Sequence, residues 1–393
     1  MAEPSYDYII AGGGLAGLSL AFLLSRSSLR TKKVLVIDRD EKSANDRTWC
    51  FWERGASHFE QAVFHRWKKL LFFSCEGKRI SLDLAADGLE YKMIRADEFY
   101  RFVRTGLDSL PHFEFRCAKV TEVNDGRIET DIGGFRANEF VFDSVSRPAY
   151  DDPRSHNLLQ HFYGRVIETG EESFDPGAAT LFDFRGTSVD ECRFVYLLPL
   201  TKRRALVEYT VFSDRLLEDR EYAEGLENYL GSVAGITRYE TLEEERGVIP
   251  MSDAHHDTRP SPKVVRIGTA GGYVKPSTGY SFSRTQDRLA EIVQALETGR
   301  PIPEFRSVRS GWKMLLDSTM LNILSGGDPP ASDVFSRLFQ KNPASRVLDF
   351  LDEETSITED LAVMRTVPLV PFAKAAISEL LRSRGGFRRK SNQ

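Results

Sequence analysis

Tyr8-Ile9-Ile10-Ala11-Gly12-Gly13-Gly14-Leu15-Ala16-Gly17, followed by Val34-Leu35-Val36-Ile37-Asp38, reads as strand, glycine turn, helix, strand and acid. Gly12 permits the sharp turn, Gly14 lets the backbone approach a pyrophosphate, and Gly17 lets the helix lie close to the strand. Leu15 and Ala16 begin the helix, whose free N–H groups and dipole face the phosphates. Asp38 stands about 20 residues further on, where a carboxylate accepts from a ribose hydroxyl. A lone GxGxxG is weak, and a tight turn in an ordinary α/β protein is the competing explanation. The complete context favours a dinucleotide-binding unit, and its position suits FAD and NAD equally.

The chain of 393 residues has room for two or three domains and a sizeable core. Cys50, Cys75, Cys117 and Cys192 are far apart and form no CxxC pair. This fits a reducing compartment, and neither a disulfide framework nor a metal site is expected. The N-terminal residues lack a signal-peptide core. No apolar run approaches the length of a membrane span; the best, Thr366 to Ala373, is bounded by Arg365 and Lys374. The net charge is −5, yet Arg382, Arg384, Arg388, Arg389 and Lys390 crowd the C-terminus without an acid. No basic face for nucleic acid is legible. The tail suits an anionic membrane surface, or is a solvated end.

Hydrophobic spacing predicts a hairpin over 69–84, a helix over 97–107, and strands over 113–123 and 135–143. It also predicts paired strands over 193–198 and 204–212, a short strand at 264–268, a helix over 284–296, and helices from about 306 onward. Strands between 160 and 250 interrupt two pieces of nucleotide domain. The expected fold is α/β: a discontinuous Rossmann-like FAD-binding domain (1–68, 86–155 and 263–300), an inserted antiparallel β-sheet substrate domain (69–85 and 156–262), and a C-terminal helical region with the basic tail (301–393).

Several segments carry possible chemistry. In Ile267-Gly268-Thr269-Ala270-Gly271-Gly272 and Pro276-Ser277-Thr278-Gly279-Tyr280-Ser281, a strand ends in small residues and a Thr-Gly turn leads into a helix. Thr269, Thr278 and Gly279 are therefore candidate flavin contacts, and Arg47 is added from the loop after the second strand. Trp49, Phe51 and Trp52 form an aromatic cluster in what reads as a loop; with Tyr280 they suit an apolar tunnel, although aromatic residues usually build core. In Arg204 to Phe212, alternation puts Leu206, Glu208, Thr210 and Phe212 on one face. A carboxyl among apolar neighbours is raised in pKa and can act as an acid; an exposed or Arg-paired glutamate is the ordinary alternative. Glu243, Glu244 and Glu245 read as a solvated face. The helix around Trp312 to Leu324 is either core or a membrane-docking surface.

Tyr6 to Gly17, Asp46-Arg47-Thr48-Trp49-Cys50-Phe51-Trp52, Arg193 to Leu200, Gly247-Val248-Ile249-Pro250 and Pro276 to Tyr280 together resemble the bacterial flavoprotein lycopene β-cyclases. The resemblance implies FAD, NAD(P)H to keep it reduced, and lycopene or related linear carotenes as substrate. It also implies a cytoplasmic enzyme attached peripherally to the inner face of the cell membrane. Plant members carry Phe-Leu-Glu-Glu-Thr where this chain has Leu206-Val207-Glu208-Tyr209-Thr210. The resemblance thus makes Glu208 the proton donor, while Tyr209 replaces the second acid and puts a shared-acid mechanism in doubt. The implied reaction is redox-neutral: protonation of a ψ end, ring closure through a tertiary cation, and proton loss. Reduced flavin helps by charge, since opposite charges about 4 Å apart at an effective dielectric near 20 attract by roughly 4 kcal/mol. That is on the order of a thousandfold in rate if felt only in the transition state. Glu208, a flavin atom or another acid can take the final proton. An FAD-dependent monooxygenase or reductase of a lipid, and a non-catalytic flavin- or carotenoid-binding protein, are the rival functions.

Overall fold

A computed structural model describes residues 3–148, 150, 152–188, 191–304 and 308–390; side chains are described from 311 in the helix that begins at 308, and to 382 in the last helix. Ser5–Ala11 pairs in parallel with Val34–Asp38 on one side and Gly133–Asp143 on the other. Phe113–Cys117 extends the parallel sheet beyond Val34–Asp38, and Val264–Arg266 pairs in parallel with the end of Gly133–Asp143. Tyr8, Ile9, Ile10, Val34, Leu35 and Ile37 are buried, as central parallel strands require. The helix Leu15–Ser25 packs on this sheet with Ala96–Leu107 and Phe282–Glu297.

The stretch 113–123 is not one strand. Phe113–Cys117 joins the parallel sheet, whereas Val120–Asn124 lies at the far edge, antiparallel to Arg127–Thr130. Both halves are rich in β-formers, so composition alone does not reveal the crossing between them.

A second, seven-stranded sheet has the order Tyr239–Ser252, Asn157–Thr169, Arg204–Ser213, Cys192–Pro199, Ala178–Asp183, Lys69–Phe73 and Arg79–Asp83. Its last two strands are the 69–84 hairpin, which docks in parallel against Ala178–Asp183. One face packs on the helix Asp219–Asn228 through Val207, Tyr209 and Val211. The opposite face, with Leu206 and Phe212, packs against a third sheet and the C-terminal helices.

The third sheet is Thr48–Arg54, Leu89–Arg95 and Val63–Trp67, with Leu89–Arg95 central. Thr48 to Trp52 is therefore strand rather than loop, and the pleat divides its aromatic residues between two faces. The helix Val308–Gly326 packs against Leu369–Lys390. Its Lys313 is buried, 2.7 Å from Asp360, and its Trp312 indole N–H donates to the same carboxylate at 2.8 Å. The Trp312 to Leu324 stretch is thus mainly internal packing, which favours the core reading over the docking alternative.

Candidate active site

The nucleotide end is built first by backbone. Gly12 has φ of +104°, a conformation that a Cβ would strain. A Cβ on Gly17 would lie 1.8 Å from the Gly12 carbonyl oxygen, so helix and turn meet with no room for a side chain. A Cβ on Gly14 meets nothing within 4 Å. Asp38 accepts from the Gly13 N–H at 2.6 Å and from the Asp40 N–H at 3.0 Å. A cleft of about 670 Å³ opens here, lined by Gly13, Asp38, Lys42, Arg101, Arg104 and Phe115 among others. It lies at the carboxyl ends of parallel strands, where such folds bind nucleotides. Leu15 and Ala16 begin the helix behind it. Arg47 is exposed and its carbonyl accepts from the Ala96 N–H.

At the other end, Gly268, Gly272 and Gly279 all have positive φ and shape the loop from 267 to 281. A Cβ on Gly279 would lie 2.2 Å from Gln160 Oε1. That oxygen and the buried Thr278 Oγ1 have no hydrogen-bond partner, so two polar atoms face the loop unsatisfied. Thr269, in the same loop, is exposed. Open backbone at Gly14, the adjoining cleft, and these orphaned polar atoms fit an elongated dinucleotide cofactor.

Glu208 belongs to the strand Arg204–Ser213 of the large sheet. The pleat places it with Leu206, Thr210 and Phe212, as the alternation predicts, and it is only 9% exposed. Tyr209 turns to the opposite face, against Gly225. A second acid at 209 would point away from Glu208 in this chain. The acid beside Glu208 comes from another strand. Gly164 pairs with Glu208 on one side and with Glu245 on the other. Having no side chain, it leaves the two carboxyl groups free to meet above it; a Cβ there would stand 3.2 Å from Glu245 Cγ and 3.4 Å from Glu208 Cβ. The carboxyls are in hydrogen-bonding contact.

The solvated-face reading therefore fails for Glu245 alone. Glu243 and Glu244 are exposed and bind Arg95 and Tyr163. Glu245, on the same face as Glu243 but deeper in the sheet, is less exposed, and Thr48 Oγ1 donates to its Oε2 at 2.8 Å. Its Oε1 is buried and reached by no donor other than a proton on the neighbouring carboxyl. Burial first, then the charge of Glu245, pushes the Glu208 carboxyl well above the usual carboxylate range, against a 2.8 Å hydrogen bond from Thr210. Burial also raises Glu245, opposed by the hydrogen bonds from Thr48 and Glu208.

The third sheet packs aromatic residues over the face that carries Glu208. Thr48, Cys50 and Trp52 alternate toward it, and Tyr196 is the cross-strand neighbour of Glu208. Tyr280 packs edge-on against Trp52 with ring centroids 4.7 Å apart, and Tyr91 stacks behind Trp52 at 6.5 Å. Phe51 faces the other way and stacks on Phe282 at 4.0 Å. Trp49 packs on Phe99 and Tyr100 in the nucleotide-domain core. Of the four aromatic residues expected to form a pocket, the structure brings Trp52 and Tyr280 to Glu208, and it places Trp49 and Phe51 on the opposite face. Sequence reasoning missed Glu245, Gly164, Tyr91 and Tyr196. Their only trace is alternation in strands whose pairing is not legible. Asp352, beside Trp52, has its carboxyl pushed up to about 7 by burial, and no sequence signal marks it.

The sheet order, glycine turn and carboxyl-end cleft define a Rossmann-like FAD-binding fold. The same fold is seen in a geranylgeranyl bacteriochlorophyll reductase-like protein from Thermoplasma acidophilum, with TM-score 0.66 at 14% identity over 95% of this chain and 99% of that one. The family model described as lycopene cyclase protein matches residues 7–377, so the chain belongs to the lycopene cyclase family. It is 25% identical to the lycopene beta-cyclase of Paracoccus sp. (strain N81106 / MBIC 01143), over 94% of this chain and 96% of that protein. It is 26% identical to a chloroplastic neoxanthin synthase of Solanum lycopersicum, over 76% of this chain, and spans 61% of that protein's length.

Proposed function

We propose that this protein is a lycopene β-cyclase that converts the ψ ends of linear carotenes to β-ionone rings. The observation that carries this reading is a buried carboxyl, pushed above the usual carboxylate range and set among aromatic side chains, in a chain of the lycopene cyclase family. Burial favours the protonated form of Glu208, and the aromatic side chains packed around it keep water from quenching a cation. The faces of Trp52, Tyr196 and Tyr280 favour positive charge, each by about 0.5–2 kcal/mol depending on desolvation. Thr210 holds the Glu208 carboxyl by its Oε1, leaving the other oxygen for Glu245 or substrate.

Gly12, Gly14, Leu15, Ala16, Gly17, Asp38 and Arg47 would hold the nucleotide part of FAD, and Thr269, Thr278 and Gly279 its flavin part. Reduced FAD supplies negative charge beside the cation, and NAD(P)H serves only to keep it reduced. Cyclisation therefore proceeds under argon with FAD and dithionite, without NAD(P)H. A strict need for oxygen would favour the monooxygenase reading, and lycopene bound but unchanged would favour a non-catalytic carrier; neither rival is favoured by the family match. Pigment chromatography of a lycopene-making bacterium expressing the chain tests the activity directly.

The protein works at a membrane surface in this reading. Among the described residues no helix is long and apolar enough to cross a bilayer. Ile357, Leu361, Leu369, Val370, Ile377, Leu380 and Leu381 are large apolar residues left exposed on the last two helices. Val370, Ile377 and Leu381 share one face by helical spacing, and Arg382 with the basic residues after it ends the same helix. Side chains 383–390 lie outside the described residues. Changing Val370, Ile377 and Leu381 together to Asp weakens binding to anionic vesicles by at least about tenfold in a flotation assay. Equal binding would leave the basic tail as the only candidate anchor.

A further inference from the structure

We infer that Glu245 is the positioning partner of Glu208 in a one-proton carboxyl pair spaced by Gly164, an inference that rests on the cyclase reading. Three geometric facts converge. The two glutamates occupy one cross-strand row on either side of a residue with no side chain. Thr210 binds Oε1 of Glu208, and Thr48 binds Oε2 of Glu245, which leaves one oxygen of each carboxyl for the other. Oε1 of Glu245 is then a buried acceptor that only a hydrogen on Glu208 can satisfy. Two like charges in contact away from water are disfavoured, so the pair keeps one proton.

The surrounding groups do not supply another. Cys50 and Tyr91 from the third sheet, and Tyr196 and Tyr280, are held neutral by burial. Glu243, on the same strand as Glu245, forms a two-point ion pair with Arg95 at 2.9 and 3.0 Å, so the charge of each is largely offset by the other.

The pair closes the proton balance of the reaction. The Glu208 proton goes to the terminal double bond, whose π electrons form the new C–H bond and leave a tertiary cation. The next double bond supplies the electrons of the ring-closing C–C bond. A ring C–H proton then returns to the pair, and its bonding electrons form the ring double bond. One proton leaves, one returns, and no electron is transferred. While the proton is on the substrate both carboxylates are charged, which stabilises the cation at close range.

The test is Glu245→Gln in the FAD-loaded full chain. Gln keeps the acceptor for Thr48 but offers an N–H to Glu208, which favours the ionised form and removes the neighbouring charge. The alkaline limb of kcat against pH moves down by about one unit or more, with KM for lycopene within about twofold. Glu245→Asp restores part of the shift. An infrared titration reads the pair without turnover: a carboxylic-acid C=O band persists above neutral pH in the wild type, disappears in Glu208→Gln and titrates lower in Glu245→Gln. An alkaline limb and a band unmoved in Glu245→Gln would overturn the pairing while leaving Glu208 as acid. A wild-type chain that makes no cyclic carotene defeats the cyclase reading instead, and the infrared titration still reports on the pair.

Discussion

Glu208→Gln is expected to lower cyclisation by at least about a thousandfold while leaving a folded, flavin-binding protein. The structure explains why the variant folds. The amide oxygen still accepts from Thr210, and the amide nitrogen donates to Oε1 of Glu245, which otherwise lacks a donor. What is lost is the transferable proton. Glu208→Asp keeps the acid but withdraws it by about one methylene from both Thr210 and the substrate, so it retains part of the activity. Glu243→Gln and Glu244→Gln are the controls, because both residues are exposed and are held by Arg95 and Tyr163 rather than by Glu208. The pH dependence has a definite sign. Because burial and Glu245 raise the Glu208 carboxyl, the protonated form persists above the usual carboxylate range and activity falls as pH rises through that raised value. Product analysis with circular dichroism and flavin content checks all three expectations, and near-normal β-carotene output from flavin-loaded Glu208→Gln would end the mechanism.

Gly14→Val is expected to abolish FAD retention with little change in the fold. The Cβ of the added side chain meets no atom within 4 Å, so it points into the open space through which the pyrophosphate approaches. Gly17→Ala provides the contrast: its Cβ would stand 1.8 Å from the Gly12 carbonyl oxygen, so helix and turn must separate and stability falls with binding. Affinity for FAD should drop by about a hundredfold or more in Gly14→Val at a nearly unchanged melting temperature. Wild-type flavin affinity in folded Gly14→Val would sink the assignment of this turn to the cofactor.

These two predictions sit at opposite ends of what can be read from residues in order. The dinucleotide unit is local. Its glycines, helix start and acid lie within residues 8–38, and each has one backbone reason to be there, so the linear pattern nearly specifies the geometry. Glu208 is legible for a related reason. A strand has a period of two, and an acid in register with Leu206 and Phe212 goes to the face they share. The 69–84 hairpin is likewise local. The same rule, applied to Thr48 to Trp52, shows how local reading goes astray: read as a loop, its aromatics form one cluster; as a strand, they separate, with Trp49 and Phe51 facing the nucleotide domain and Trp52 facing Glu208.

The nucleotide fold, the family and the face on which Glu208 lies are legible from residues in order, because glycine constraints and strand alternation act over a few residues. Only the tertiary structure decided that Glu245, rather than a neighbour in the 206–210 motif, is the second acid. Glu208 and Glu245 lie far apart in the chain, on strands separated by Asn157–Thr169. Their contact depends on the register that sets both opposite Gly164, and on a third sheet whose Thr48 closes over them. Register across a sheet is fixed by packing on its buried face. That packing brings together Leu206, Trp52 and the C-terminal helices, which no stretch of the chain contains on its own.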